Sequence, residues 1–191
     1  DRSVSRGLGD VYKRQLLHIM SCIDNFDGEY YLDNIDINKL SESKKSKLRS
    51  SKIGIVLQDF ALIDDFTVFE NVMTPLYFNK KIKDKKGSVM RALKKTGIVS
   101  LKAKKVSQLS GGQKQRVAIS RALVTSPEYI FADEPTGSLD SKTSEEIVKM
   151  LFDLNRNGIT IVIVTHNLEI ANQCHHIIEI KDGNIIKDIC S

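Results

Sequence analysis

Two short apolar runs, each leading into polar residues, constrain the fold of this chain more than any other feature. The run 129–132 reads YIFA and precedes Asp133 and Glu134, whereas the run 159–164 reads ITIVIV and is followed closely by His166. Continuous apolar runs of this length are typical of strands that are buried on both faces of a parallel sheet. Because segments with helical periodicity separate them, we predict an α/β fold with a mainly parallel sheet and flanking helices.

The remaining segments predict the other helices and hairpins of such a fold. The following assignment is based on the helical spacing of apolar residues, on turn dipeptides and on glycines that end helices. Helices are predicted at 16–23, at 67–78 with an interruption near Pro75, at 88–95, at 114–123, and from a Thr143–Glu146 capping box to Leu154; a further strand is predicted at 53–58, and hairpins at 29–37 and 176–187. Antiparallel hairpins are therefore expected beside the parallel sheet.

Composition argues against a disordered, membrane-spanning or disulfide-stabilised chain. Charged residues make up 28% of the 191 residues, and only three are proline. No apolar run approaches the roughly 18–20 residues that span a bilayer. The three cysteines, Cys22, Cys174 and Cys190, are far apart and form no CxxC pair. We expect one globular domain in a reduced, cytoplasmic compartment, without a secretory signal.

Positive charge is concentrated in one segment of the chain. Residues 80–105 contain eleven Lys and Arg residues and a single acid, Asp84, although the whole chain has a net charge of only +5. A second basic cluster comprises Lys44, Lys45, Lys47, Arg49 and Lys52. Two interpretations are open: a solvated helix face, or an electrostatic footprint for an anionic membrane surface or nucleic acid.

A glycine-containing motif, LSGGQKQR at residues 109–116, leads into the helix predicted at 114–123. Gly111 and Gly112 allow the backbone to approach a phosphate group closely, and a helix N-terminus offers free N–H groups and a positive dipole. Ser110 adds a hydroxyl donor. An isolated SGG is more often a turn that caps a helix, so this loop by itself leaves both interpretations open.

Polar residues follow three predicted strands at the end where ligands bind in parallel sheets. Asp133 is placed to hold Mg²⁺, directly or through water, and Glu134 to accept hydrogen bonds from an attacking water. His166 is a candidate γ-phosphate contact, although a histidine in such a position is more often structural. Gln58 ends the third strand, and its amide oxygen suits Mg²⁺ or water.

Together, Gln58, LSGGQ, YIFADEPTGSLD and His166 resemble the Q-loop, signature, Walker B with D-loop, and H-loop of the ATP-binding-cassette (ABC) ATPases. The order and the spacing agree over about residues 16–187. Within the family, FTVFENVMTPL, LSGGQKQRVAISRAL and ADEPTGSLDSKT are most similar to the lipoprotein-release, macrolide-export and bacteriocin-export class. The resemblance implies a P-loop NTPase-type sheet and a helical subdomain insert at about residues 60–125.

The resemblance also implies a mechanism that uses ATP and Mg²⁺. Two cassettes would pack head to tail, with Glu134 as the catalytic base and His166 as the γ-phosphate contact for the ATP of their own chain. Further nucleotide contacts would come from Gln58, from Asp140 at the dimer seam, and from the signature residues Ser110, Gly111, Gly112 and Gln113, which would contact the partner's ATP. The partners would be a second ABC ATPase chain and a membrane permease, so the chain would lie peripherally on the inner face of the cell membrane.

One motif of the family is missing. No GxxxxGK[ST] Walker A sequence occurs, and residues 7–15 read GLGDVYKRQ where it belongs. Gly7 and Lys13 match, but Tyr12 replaces the glycine that admits the phosphate and Arg14 replaces the hydroxyl residue that binds Mg²⁺. We therefore expect residues 1–15 to be non-native, residues 16–191 to be the ABC ATPase domain of a fragment, and ATP hydrolysis by this chain to be impaired.

Two other classes of function remain open. A soluble cassette that acts on DNA or ribosomes is disfavoured, because Leu109 follows Gln58 by only 51 positions, without heptads between them, and the chain has one cassette. We expect no nucleic acid partner. A non-enzymatic regulatory cassette would bind its partner without nucleotide, and the missing phosphate loop motivates that alternative.

Overall fold

The computed structural model describes residues 12–79 and 81–190, which fall into two compact units. One unit comprises the described residues up to Asn38 together with those from Val164, and the other comprises Lys39–Ile163. The helices are α1 (residues 12–20), α2 (Glu42–Lys52), α3 (Val68–Met73), α4 (Pro75–Phe78), α5 (Lys85–Lys95), α6 (Gly111–Leu123), α7 (Ser141–Arg156) and α8 (Leu168–Ala171). The strands are β1 (Tyr31–Leu32), β2 (Ile35–Asp36), β3 (Ile53–Val56), β4 (Tyr129–Asp133), β5 (Thr160–Val164), β6 (His176–Lys181) and β7 (Asn184–Cys190).

The first unit is built around two antiparallel hairpins, and both were predicted. Strands β1 and β2 pair with Leu32 opposite Ile35. The turn residues Asp33 and Asn34 have φ values of 50° and 62°, as a two-residue hairpin turn requires. Strands β6 and β7 pair from Lys181 opposite Asn184, and this hairpin runs further along the chain than predicted, to Cys190.

The second unit contains the sheet with strand order β3-β4-β5. Strands β3 and β4 are parallel, with Ile53 opposite Tyr129 and Val56 opposite Ala132. Helix α6 packs directly on β3, because a Cβ added to Gly54 would lie 2.6 Å from the carbonyl oxygen of Ala122. The predicted parallel α/β arrangement is therefore confirmed.

The environment of β5 differs from the prediction. The run was expected to be buried on both faces, but Thr160 is exposed and the four following residues are only half-buried. Among the strands that the structure describes, β5 lies at the edge of its sheet with β4 as its single neighbour. An apolar run indicates that a strand is largely shielded from water, but it does not indicate how many strands lie beside it.

A core of buried apolar side chains joins the sheet to α3, α5, α6 and α7 of the second unit. Its fully buried members include Val56, Val72, Leu93, Ile119, Ile130 and Ile147. The helix predicted at 67–78 is interrupted as expected, since α3 ends at Met73 and α4 begins at Pro75. Proline fits the first turn of a helix, where its missing N–H leaves no hydrogen bond unmade.

The predicted start of α7 is wrong. A Thr143–Glu146 capping box was expected, whereas Asp140 caps the helix and accepts a hydrogen bond from the Thr143 N–H. Glu146 instead forms a 2.8 Å ion pair with Arg116 of α6. The aspartate precedes the threonine by one helical turn, so it reaches the free N–H groups first.

The described residues include only part of the segment 1–15 and only part of the basic segment 80–105. Residues 1–11, with Gly7, and Lys80 of the basic segment lie outside them, as does Ser191. Residues 12–15 belong to α1, and the Tyr12 ring lies 3.9 Å from the position that a Cβ on Gly183 would take in the β6–β7 turn. No helix within 12–79 and 81–190 combines the length and the apolar character needed to cross a bilayer.

Candidate nucleotide site

The end of β4 places two carboxylates in a buried position. Asp133 is the last residue of the strand and is 3% exposed, and Glu134 follows at 8%. Glu134 has a φ of 43°, in the left-handed region that a non-glycine residue seldom occupies, and its carbonyl oxygen accepts a hydrogen bond from the Gly137 N–H. Such backbone strain persists only where the surroundings enforce it, and it clusters at functional sites.

Gln58 lies beside the same turn. It follows the end of β3 by two residues and is exposed. A Cβ built on Gly137 would lie 3.7 Å from the Gln58 Nε2 and 3.5 Å from the Glu134 Cβ. The parallel pairing of β3 with β4 thus brings Gln58 and Glu134 to one point, as the sequence predicted. A side chain larger than hydrogen at residue 137 would occupy the space between them.

The loop after Gln58 is held by a residue that sequence reasoning missed. Arg121 of α6 donates hydrogen bonds to the carbonyl oxygens of Phe60, at 2.8 Å, and of Ala61. Both loop residues have positive φ values. Burial lowers the pKa of the Arg121 guanidinium, and nearby Asp59 opposes that shift. Nothing in the local sequence marks this arginine, since its partners lie about sixty positions earlier.

The signature loop forms the N-terminus of α6. Ser110 is the N-cap, and its hydroxyl accepts a hydrogen bond from the Gln113 N–H at 3.4 Å while the Gln113 Oε1 accepts one from the Ser110 N–H at 3.1 Å. This is a capping box. No acidic side chain occupies the first turn of α6, so the positive end of its dipole lacks a carboxylate from its own helix.

The two signature glycines contact the start of α7. A Cβ on Gly112 would lie 2.4 Å from the Cγ2 of Thr143, which is closer than real Cβ atoms come, and a Cβ on Gly111 would lie 3.3 Å from Leu139. Because neither glycine has a side chain, the start of α7 can pack closely against the signature loop. The loop backbone also stays accessible. This steric role was not predicted, because the contacting residues are some thirty positions away.

Asp140 is exposed, but both of its carboxylate oxygens face its own helix. They accept hydrogen bonds from Thr143, at 3.0 Å from the N–H and 2.6 Å from the hydroxyl. The hydrogen bonds from the Thr143 hydroxyl and N–H lower the pKa of Asp140. Since Thr143 also contacts the space beside Gly112, the structure brings Asp140 and the signature loop to one region.

His166 belongs to the other unit and lies two residues beyond β5, where its side chain is exposed. The predicted site residues therefore form one group of Gln58, Asp133 and Glu134 and a second group of Ser110, Gly111, Gly112, Gln113 and Asp140, with His166 described separately.

The donor set at the ends of β3 and β4 suits magnesium. A carboxylate at Asp133 and an amide oxygen at Gln58 are hard oxygen ligands, and Mg²⁺ is commonly held by one or two protein oxygens together with waters and substrate phosphates. Within residues 12–79 and 81–190, no cluster of three or more His, Cys, Asp or Glu side chains has the arrangement of a self-sufficient metal site. An ion at this place would need the phosphates to complete its coordination.

Comparisons with known proteins identify relatives of this chain. The chain matches the ABC transporter family over residues 14–137. It is 42% identical over 178 residues to the ABC transporter ATP-binding protein YvrO of Bacillus subtilis, covering 92% of this chain and 78% of that protein. It is also 42% identical to the macrolide export ATP-binding/permease protein MacB of Mannheimia succiniciproducens, covering 92% of this chain but only 28% of MacB.

A solved structure has the same fold. The dimeric, post-hydrolysis structure of the ATP-binding cassette MJ0796 bound to ADP and Pi matches with a TM-score of 0.84 and 40% identity, covering 93% of this chain and 80% of that one. The chain therefore belongs to the ABC transporter family. Within that family it is an ATP-binding domain with the fold of the ABC ATPase cassettes. These findings confirm the predicted family, the fold class and the ABC-type ATPase class. They also confirm ATP as the ligand and the function as an ATP-binding subunit.

Proposed function

We propose that this cassette couples ATP binding and hydrolysis to export or release of a substrate by a membrane permease. The arrangement of Asp133, Glu134 and Gln58 at the ends of β3 and β4 carries the proposal, because it combines two buried carboxylates and an amide at one end of parallel strands. The relative MacB is named as a macrolide export protein with ATP-binding and permease functions. This name supports an export role for the present cassette.

The roles follow from the chemistry of each group. Asp133 and Gln58 would hold Mg²⁺, which supplies charge neutralisation to the phosphates when it is bound. Glu134 would orient the attacking water and accept its proton. His166 would donate a hydrogen bond to the γ-phosphate held by its own chain.

The signature group would serve a second cassette. In a head-to-tail dimer, the Ser110 to Gln113 segment would meet the partner's ATP with N–H groups of α6, and Asp140 would lie at the seam. The neutral first turn of α6 and the dimeric state of the MJ0796 structure support this arrangement. Alternative roles as a DNA- or ribosome-acting cassette or a regulatory cassette draw no support from the transporter names of the relatives.

The domain organisation is part of the same proposal. Residues 16–191 would form the ABC ATPase domain, and residues of about 60–125, which contain α3 to α6, its helical subdomain. The permease would hold the cassette against the inner face of the cell membrane. The interpretation of residues 1–15 as non-native depends on the sequence alone.

Glu134→Gln tests the catalytic assignment. Because residues 7–15 lack the Walker A pattern, the test uses this chain with those residues replaced by a GxxxxGKST segment. We expect the replaced chain to release phosphate from MgATP much faster than the chain as it stands, and Glu134→Gln to lower that rate about 10²–10⁴-fold, since a positioned base contributes this much.

Glu145→Gln is the matched control, because it makes the same change at an exposed acid of α7. It should leave phosphate release unchanged. Equal turnover with and without the GxxxxGKST segment would disprove the impairment that we expect of this chain. Equal turnover of Glu134→Gln and its parent would disprove the role of Glu134.

A further inference from the structure

Helix α4 exposes two adjacent aromatic side chains. Tyr77 is 65% exposed and Phe78 is 80% exposed, whereas the preceding Leu76 is completely buried in the core. Leu76 thus anchors a four-residue helix whose last two side chains project into solvent. Exposing this much aromatic surface is unfavourable in water, so the pair is a candidate contact for another apolar phase.

Lysines follow the aromatic pair in the sequence, and one of them contacts it. The Lys85 Nζ lies 5.4 Å from the centre of the Tyr77 ring, in a cation–π contact. Lys81, Lys83 and Lys86 are exposed in the same segment. Its one acid, Asp84, is engaged at the start of α5, where it accepts hydrogen bonds from the Gly87 N–H at 2.9 Å and from Arg91 at 3.3 Å. The lysine charge in this segment is therefore only weakly offset.

Helix α2 adds positive charge from elsewhere in the sequence. The Asn79 Nδ2, one residue after α4, donates a 2.9 Å hydrogen bond to the Ser50 carbonyl oxygen of α2. Lys47 lies one helical turn before Ser50 on the same face, and Lys44 lies one turn before Lys47; both are exposed. The two basic clusters that the sequence separates thus meet beside α4.

We propose that this aromatic–lysine surface, composed of Lys44, Lys47, Tyr77, Phe78, Lys81, Lys83, Lys85 and Lys86, binds the headgroup layer of an anionic membrane directly. Amphipathic aromatic rings partition to the membrane interface, and lysines near an anionic leaflet each contribute an attraction of about 1 kcal/mol, which is about fivefold in binding. The inference deepens the proposed membrane location, but it does not depend on ATP hydrolysis by this chain.

The side chains of the surface favour lipid over nucleic acid. All of its cations are lysines, which act as mobile point charges, whereas planar and bidentate recognition of nucleic acid phosphates and bases favours arginine. Arg91, the neighbouring arginine of α5, is engaged with Asp84 and with the Ser88 hydroxyl at 2.8 Å. A diffuse charge around a protruding aromatic pair matches a fluid, laterally uniform anionic surface.

Vesicle flotation of the full chain tests the surface. The probes are vesicles of phosphatidylcholine alone and vesicles with about one-third phosphatidylglycerol, each at low and high salt. We expect binding only to the anionic vesicles and its loss at high salt. A double variant, Lys83→Glu with Lys86→Glu, should weaken binding at least about thirtyfold, because two attractive charges are removed. Phe78→Ser should weaken binding to the anionic vesicles severalfold at low salt, where the parent chain binds.

Matched controls lie at the other end of α3. Lys102→Glu with Lys104→Glu makes the same charge change within the basic segment, where the Lys102 and Lys104 carbonyl oxygens accept hydrogen bonds from Phe69 and Val68. Tyr31→Ser removes an exposed aromatic residue of the other unit. On a logarithmic scale of affinity, each control should weaken vesicle binding by no more than about half as much as its test variant does.

Several outcomes would overturn the proposal. These are equal binding to neutral and anionic vesicles, no binding to either, equal losses in the test and control variants, or binding only to vesicles that contain a permease. Tighter binding to a nucleic acid duplex than to anionic vesicles, with loss in the same variants, would assign the surface to nucleic acid instead. Because the readout is lipid binding, failure here is distinguishable from failure of the proposed ATPase role.

Discussion

The N-termini of α6 and α7 lie side by side, and their caps differ in charge. The α6 cap is neutral, with Ser110 and Gln113 bonding to each other's N–H groups, whereas the α7 cap is the carboxylate of Asp140. Both caps satisfy free N–H groups. Only Asp140 also places a negative charge at the positive end of its own helix dipole. The positive end of the α6 dipole receives no carboxylate from the first turn of its own helix.

The comparison predicts a large effect when the contact between the two helix ends is altered. Gly112→Ala should lower the free energy of unfolding by about 1–3 kcal/mol, since overpacking a close contact costs this much. The cause would be the Thr143 Cγ2, 2.4 Å from the new methyl group. Thr143→Ser removes that atom, so the loss caused by Gly112→Ala should shrink in the Thr143→Ser background. Chemical denaturation measures the effect of Gly112→Ala in the parent and in the Thr143→Ser background. An equal loss of unfolding free energy in the two backgrounds would contradict the contact.

Removing each cap in turn sharpens the difference in charge. Ser110→Ala should lower the free energy of unfolding by about 1 kcal/mol, as the loss of an N-cap does. Asp140→Ala should also destabilise the protein, and its effect should depend on pH. The two variants are compared with the parent by thermal unfolding between pH 7 and pH 3.

The sign of that pH dependence follows from the lowered pKa of Asp140. An aspartate in the unfolded chain has a pKa of about 3.9, and the folded value lies below it. The stabilisation is therefore complete above about pH 4 and is lost as the pH falls through the folded pKa. The melting-temperature difference caused by Asp140→Ala should shrink on acidification, while that of Ser110→Ala should stay constant. Parallel behaviour of both variants would remove the distinction between the caps.

The smallest effect concerns a buried amide one turn further along α6. Gln115 is 1% exposed, and among residues 12–79 and 81–190 neither its Oε1 nor its Nε2 has a hydrogen-bond partner. Replacing an unsatisfied buried polar group by an apolar group of the same shape is nearly neutral or stabilising. Gln115→Met should therefore change the free energy of unfolding by less than about 1 kcal/mol, or raise it. A loss above about 2 kcal/mol would show that the amide makes hydrogen bonds in solution.

Much of the fold followed from local patterns. The strands at β3 and β4, both hairpins and the break at Pro75 were predicted because each is encoded within a few neighbouring residues. Glycine and asparagine turns, a proline at a helix start and apolar runs act through backbone sterics and burial over that short range. The environment of β5 was predicted incorrectly, since sheet order depends on partners far away in sequence.

The candidate site divides in the same way. The sequence by itself determined the family and the order of the polar motifs, because residue types after apolar strands and around glycines are local features. Only the tertiary structure decided that Arg121 holds the loop after Gln58, that Gly112 admits Thr143, and that two separate lysine clusters meet beside Phe78. Such contacts join residues about thirty to sixty positions apart, so packing of the whole unit sets them and no short segment encodes them.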